Sequence, residues 1–319
     1  MGRIFCYLLL LSLAVNTAVA DEVFPSKPVR LIVGVPAGTG ADTDARIFAT
    51  QLSEELGQQV YVDNRPGDST FTAMKEVSAA KADGYTLGFA TSAFTSSPRL
   101  YNKPPFDVDK GFSYISLLSE HRWVLVVGPS SSAKSVSEFV ALAKAKPSAI
   151  TYGTVGAGSI QHLAGELFQQ ITDTKLRHIP YGRSNPIVDL VGGHIDASFP
   201  ALVGVIGQTK NTVRILAVTG ESRASMLPDV PTFAEAGFPK FEGYSFTGLI
   251  GPADLHASIV AKLNAAAIGA VKSKRYQEFN VGLSGAIAVG SSAEKFESYV
   301  RSERIRMKAL LDSAGVQME

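Results

Sequence analysis

From residue 29 onward the chain alternates short β-branched apolar runs with longer stretches whose apolar residues recur every three or four positions. Residues 29–35 read as a strand, 42–56 as a helix, 60–62 as a strand, 72–80 as a helix and 86–90 as a strand. This βαβαβ order predicts a parallel sheet with helices on both faces. A Pro-rich, aromatic connection at 98–109 leads to two strand-like runs, 115–118 and 123–127. Ser135 and Glu138 then stand at capping-box spacing for a helix through Ala145. Strands at 150–153, 177–179, 195–199 and 214–218 follow, separated by helices at about 160–171 and 185–191 and by a small-residue helix after Phe199. Thr232 and Glu235 repeat the capping spacing, and 244–250 is a last long strand. Two amphipathic helices close the chain, about 258–271 and 293–314. The last carries Phe296, Val300, Met307 and Leu310–Leu311 on one face. Both are expected to pack back on the first unit.

One theme occurs twice. A strand stops at a Gly-rich loop and a helix starts at once, at 36–42 and again at 154–159. Such a loop leaves backbone N–H groups pointing at one spot, and the helix dipole adds partial positive charge there. An anion site is the physical default, and an ordinary βα turn is the bland alternative. In open α/β sheets ligands bind beyond the carboxyl ends of the strands. Loops 36–42 and 91–97 should share that edge. A chain of 319 residues is long enough for two such units. The expected division is 21–121 plus 246–319 for a discontinuous first domain and 122–245 for the second. Strands would cross between them near 117–127 and 242–250.

Composition adds a compartment. Residues 1–20 carry Arg3, then an apolar core over 7–15, then Ala18-Val19-Ala20. That is the pattern of a secretory signal peptide cut before Asp21. Its apolar run falls short of the ~20 residues a membrane span needs. The single cysteine, Cys6, lies inside it and ahead of the apolar core. The mature chain would have no disulfide and no thiolate metal site, which suits a periplasm better than a disulfide-stapled extracellular module. Losing the leader removes one of the 30 basic residues and none of the 29 acidic ones, so the charges balance. No basic footprint for nucleic acid or an anionic membrane remains.

Three enzyme-like chemistries have partial counterparts in the sequence. Ser159, His162 and Asp196 hold the residue types of a serine hydrolase. Ser159 is not in a G-x-S-x-G elbow, and a triad draws its histidine from a separate loop. Ser159 reads more cheaply as a helix N-cap whose hydroxyl can also touch a ligand. The five histidines show no metal-ligand spacing. Gly38-Thr39-Gly40 lacks the third glycine of a dinucleotide loop, and neither Gly-rich loop carries G-K-[ST]. Of the single residues, Asp42 with Arg46 forms an i,i+4 pair in a first turn, or faces a ligand. Tyr181 offers a cleft hydroxyl or packs. Asp196 caps a turn or touches ligand.

The chain also resembles a known family, the extracytoplasmic solute receptors of tripartite tricarboxylate transporters, often called Bug proteins. The likeness covers the mature chain. It rests on Pro25-Ser-Lys-Pro-Val-Arg-Leu-Ile-Val33, Pro36-Ala-Gly38 with Asp42, Ala45 and Arg46, Asn64-Arg-Pro-Gly67 and Ala82-Asp-Gly-Tyr-Thr-Leu87. It continues in Gly156-Ala-Gly-Ser159 with His162-Leu-Ala-Gly-Glu-Leu-Phe168, in Pro180-Tyr181, and in Gly192-Gly-His-Ile-Asp196. Leu227-Pro-Asp-Val-Pro-Thr232 and Glu235-Ala-Gly237 complete it. The resemblance implies a type II periplasmic binding protein, two α/β domains with mainly parallel sheets joined by a two-strand hinge. It implies closure on a small carboxylate held by backbone N–H groups and water. The residues it carries over are Ala37, Gly38, Thr39 and Asp42, then Thr91 and Ser92. From the second domain come Thr154, Gly158, Ser159, His162, Tyr181 and Asp196. The sequence departs from the family pattern at Val35, at Gly38-Thr-Gly-Ala41, at Asp68-Ser-Thr-Phe71 and at Phe199-Pro-Ala201. The expectation is a monomeric periplasmic receptor, not an enzyme, with no cofactor, no metal and no nucleic acid. It would deliver its ligand to membrane permease subunits of a tripartite tricarboxylate-type transporter. The alternatives are a receptor that feeds a sensor pathway and an exported serine hydrolase.

Overall fold

The computed structural model describes residues 24–67, 70–96, 106–181, 185–208, 212–283 and 285–313. The expected leader at 1–20 lies outside them, as does most of the 98–109 connection.

The first sheet grows from β1 (Val29–Val33), which lies between β2 (Val60–Asn64) and β3 (Thr86–Thr91), parallel to both. Helix α1 (Gly40–Leu56) joins β1 to β2, and α2 (Phe71–Ser78) joins β2 to β3. A single turn, α3 (Ala93–Ser96), follows β3. The Thr39 hydroxyl accepts from the Asp42 N–H to start α1, and Gly57 ends it in the left-handed region at φ 65°. Ala45, Phe48, Ala49 and Leu52 recur at helical spacing and are buried against the sheet. Burying Phe48 or Leu52 contributes roughly 1.5–3 kcal/mol each. Beyond β3 the sheet continues with β10 (Tyr244–Pro252) and β4 (Phe112–Arg122), both antiparallel to their neighbours, and ends at β11 (Ile287–Ala288).

The second sheet has the order β7 (Arg177–Pro180), β6 (Thr151–Thr154), β8 (Ala197–Ser198), β5 (Val124–Val127), β9 (Arg214–Val218). Helices α4 (Val136–Ala145), α5 (Ile160–Thr172) and α6 (Pro186–Val191) belong to this unit. β6 is parallel to β7 and β8, while β5 runs against β8 and β9. Both sheets are therefore mixed. Their parallel strands come from the βαβ units, and the antiparallel pairs involve the strands that pass between the sheets. The small-residue helix expected after Phe199 is instead two 3-10 turns, Leu202–Gly204 and Ile206–Gln208. Gly204 and Gly207 lower the helical propensity of this stretch. The Thr232–Glu235 capping box closes reciprocally, but only a turn follows it.

β4 passes into β5 through Trp123, which is fully buried. Its N–H donates to the Thr219 hydroxyl, its carbonyl accepts from the Thr219 N–H, and its indole Nε1 donates to Ser245 Oγ at 2.9 Å. Gly243 lies so close that a Cβ there would stand 2.4 Å from the indole ring. The returning strand β10 starts one residue later, so the two crossings are packed against each other.

Two closing helices follow, with the turn α8 (Lys274–Gln277), a π-helical turn at Glu278–Leu283 and β11 between them. α7 (Ala257–Lys272) packs with α1 on one face of the first sheet. α9 (Ala293–Ser313) does more than the expected return to the first unit. Phe296 and Val300 join the first unit's core, whereas Met307, Leu310 and Leu311 are buried with Trp123, Leu125 and Phe168 in the second. Its 21 residues span ~30 Å, enough to reach from one core to the other. Arg306 of the same helix lies 5.3 Å over the Trp123 ring.

A polar seam runs inside the first core. The Asp44 carboxylate of α1, 1% exposed, accepts from Asn280 Nδ2 at 2.9 Å and from the Thr247 hydroxyl of β10 at 3.3 Å. Ser119 of β4 bridges Thr247 and His121 at 2.7 and 3.0 Å. Tyr276 lies alongside, its ionisation suppressed by burial and by the Asp44 charge. The seam ties α1 to both crossing strands.

Candidate functional site

The carboxyl ends of β1, β2 and β3 all reach the edge of the first sheet nearest the crossings. β1 exits through exposed Pro36, Ala37 and Gly38 to the start of α1. Gly38 stands at φ 82°, and its N–H donates to Asp42 Oδ2 at 2.8 Å. Asp42 is otherwise taken by Arg46 Nε at 3.0 Å and by Asn64 Nδ2 at 2.8 Å. Burial opposes its charge, but those bonds prevail and its pKa is lowered. Asp42 therefore shapes the loop from beneath. The Thr39 hydroxyl is spent on Asp42 N–H and on the Pro36 carbonyl. What the loop presents is backbone, including the first-turn N–H groups of Gly40 and Ala41 that a helix leaves unpaired.

The second unit repeats the device. β6 exits at Thr154, whose Oγ1 accepts from the Gly156 N–H and meets His178 Nε2 at 2.6 Å. The Gly158 N–H donates to His162 Nδ1 at 3.0 Å, which places the ring proton on Nε2. Ser159 caps α5 by accepting from the His162 backbone N–H at 3.3 Å. The His162 and His178 rings stack at 4.0 Å. Burial, opposed by Glu166, lowers the pKa of His162. Burial and then His162 push His178 down to about 4. Both rings are neutral near pH 7. The first-turn N–H groups of Ile160 and Gln161 remain for a ligand.

Ser159, His162 and Asp196 do not assemble a hydrolytic relay. The Ser159 hydroxyl faces a backbone N–H, and the His162 ring is bonded to Gly158. Asp196 stands at the other end of the strand, where it accepts from the Thr151 N–H and hydroxyl at 2.8 Å and from Ser130. Three residues of strand, ~10 Å, separate Thr151 from Thr154. Asp196 caps the amino-terminal edge of the sheet, away from the loops. Ser92 is also internal, its Oγ accepting from the Phe246 N–H at 2.6 Å, and Thr91 pairs with Thr247 across β10. The Tyr181 hydroxyl donates to Asp189 at 2.6 Å. Desolvation and that bond push its pKa up to about 12.

Two residues outside the expected set stand at this edge. Val203, in the turn after β8, brings a methyl within 3.4 Å of where a Cβ on Gly40 would lie. β8 is the strand next to β6, so Val203, against the start of α1, follows the neighbour of the strand that leads to α5. Thr70, before α2, holds φ 77° and presses its Cβ toward Gly34. Its buried Oγ1 has no hydrogen-bond partner among the described residues. A β-branched residue in the left-handed region is strained, and such strain clusters at binding sites.

The histidine stack sets a pH dependence. Between pH 6.5 and about 4 the unfolded chain binds a proton at His178 that the folded chain does not. Stability is expected to fall as pH is lowered through that window and to stop responding to this group below it. Urea titrations at successive pH values check this. His178→Asn should flatten the slope between pH 6.5 and 5, and an unchanged slope would refute the assignment.

Two mixed sheets joined by paired strand crossings, each sheet with a Gly-rich loop leading into a helix N-terminus, define the type II periplasmic-binding-protein fold. The chain belongs to the tripartite tricarboxylate transporter receptor family. The family's sequence model, described as "Tripartite tricarboxylate transporter family receptor", matches residues 45–316. BugT of Bordetella pertussis is 29% identical over 305 residues, 94% of this chain and 93% of BugT. Among solved structures, Rpa4515 of R. palustris with adipate shares 29% identity at a TM-score of 0.86, covering 93% of this chain and all of that one. MatC of Rhodopseudomonas palustris with bound malate shares 26% at 0.81, covering 90% of this chain and all of that one. The resemblance read from the motifs is thus established at the level of the family and its fold.

Proposed function

We propose that this chain captures a small organic carboxylate between loops 36–41 and 154–161. It would do so in the periplasm, after loss of a leader at Ala20, and pass the ligand to the membrane subunits of a tripartite tricarboxylate-type transporter. What supports this reading is that each unit turns a helix start toward its loop, with the first-turn N–H groups of Gly40–Ala41 and Ile160–Gln161 left unpaired, and that Val203 of the second unit packs against Gly40. No lysine or arginine belongs to either set, so ligand charge is met by dipoles. Only a closed arrangement brings both sets onto one ligand. Binding therefore shifts the population toward closure about the β4–β5 and β10 crossings. Excluding water strengthens the charge-assisted bonds. The adipate and malate held by two relatives support the ligand class. Nothing in the reading calls for bond-breaking chemistry, so the chain is taken as a receptor and not an enzyme.

A thermal-shift screen of mono-, di- and tricarboxylates, with amino and aromatic acids included, tests this. A true ligand at 100-fold over Kd adds ~2.7 kcal/mol of stability. A flat response to every carboxylate would sink the reading.

A further inference from the structure

A second pocket, of about 350 Å³, lies at the β11 edge of the first sheet. Segment 222–225 of the second unit forms one wall and 285–288 of the first forms another. It shares no lining residue with the loops of the proposed carboxylate cleft. Arg122, the last residue of β4, lines it and is only 9% exposed. Nη1 of Arg122 donates to the carbonyls of Thr219 and Ser222, each at 2.8 Å. A guanidinium carries five N–H donors, so those bonds leave the Nε and Nη2 edge. That edge is the fork that receives a carboxylate or phosphate side-on. In Arg306 the same edge is filled by Glu303, at 2.9 and 2.6 Å. In Arg122 no carboxylate of the described residues fills it. The neighbouring Arg223 is already paired with Glu235 at 2.8 Å.

The surroundings are built around this guanidinium. Gly220 stands at φ 116°, and a Cβ there would come within 1.9 Å of Nη1, so only glycine leaves the space. Glu120, Glu221 and Glu242 act on the neighbouring Tyr244 hydroxyl, but none of them bonds the free edge, and a buried guanidinium edge without an acceptor is costly until something pairs with it. We infer that this pocket is a second anion site, taking a small oxyanion on the Nε/Nη2 edge of Arg122. The exposed Ser222 and Ser225 hydroxyls stand on the same wall as further donors. The site is independent of the carboxylate cleft and joins the two units at the crossing.

Inorganic phosphate is the probe, titrated into the full chain by calorimetry and by the fluorescence of Trp123. That residue is the sole tryptophan and the next one after Arg122. Saturable one-site binding is expected. R122Q removes the fork, and S225D leaves Arg122 in place but sets a competing carboxylate on the pocket wall. Each is expected to weaken phosphate at least about tenfold, or ~1.4 kcal/mol, while a cleft variant such as V203D keeps wild-type affinity. If R122Q fails to fold, S225D decides alone. Absence of saturable binding, wild-type affinity in S225D, or loss of phosphate binding in V203D would each overturn the assignment.

Discussion

Asp44→Ala is expected to cost about 3 kcal/mol of stability at pH 7, although Asp44 touches neither solvent nor the proposed ligand. The substitution takes the 2.9 Å acceptor from Asn280 Nδ2 and the 3.3 Å acceptor from Thr247, both inside the core. Each buried donor left without an acceptor costs ~1–3 kcal/mol. Thr247 retains Ser119 at 2.7 Å, so the figure is nearer one full penalty plus a small cavity than two. Asp44→Asn keeps an acceptor of the same size and should lose less than half as much. Urea midpoints with an unchanged m-value make the comparison. An alanine variant within ~0.5 kcal/mol of wild type, the range of ordinary surface changes, would show that the seam contributes little.

The largest effect on binding is expected from Val203→Asp. The Val203 methyls already reach the N-terminus of α1. A carboxylate on that side chain would meet the same N–H groups and the same dipole that the proposed ligand uses. It would occupy the jaw as a tethered competitor and repel a second carboxylate. Loss of at least ~100-fold in affinity is expected, about 2.7 kcal/mol. A carboxylate at a helix N-terminus is worth ~0.3–1 kcal/mol, so the melting temperature should hold or rise. Val203→Asn, nearly the same shape without the charge, should lose far less. Binding by V203D within a few-fold of wild type would mean that α1 does not face the ligand.

Much of the scaffold was legible because it is local. The β1–loop–α1 unit is announced by a β-branched run, a Gly-rich break and apolar residues at 45, 48, 49 and 52. Ser135 and Ser159 cap the helices their spacing predicts. The Asp42–Arg46 pair forms as an i,i+4 contact should. What escaped the sequence depends on distant partners or runs against propensity. Asp44 looks like one more polar position on α1; its partners are 203 and 236 residues away. Asp196 follows a Gly-Gly turn on the way to a strand, and only the β6–β8 register reveals which end of the sheet it caps. Thr70 lies in the 68–71 stretch where the sequence departs from the family pattern, but its backbone conformation is one its side chain disfavours, so no propensity rule predicts it. Val203 is an ordinary aliphatic residue until the fold sets it against Gly40.

The last helix also bears on how the chain can be made. β10, central in the first sheet, arrives only at residue 244, and α9 supplies Phe296 and Val300 to one core and Met307, Leu310 and Leu311 to the other. Chains usually fold unit by unit as synthesis proceeds, N-terminal unit first. Here the first unit lacks an inner strand, and both units lack a wall, until the final turns emerge. A nascent chain therefore cannot complete the packing of either unit until α9 has been made. One helix thus makes the completion of the two halves a single late event.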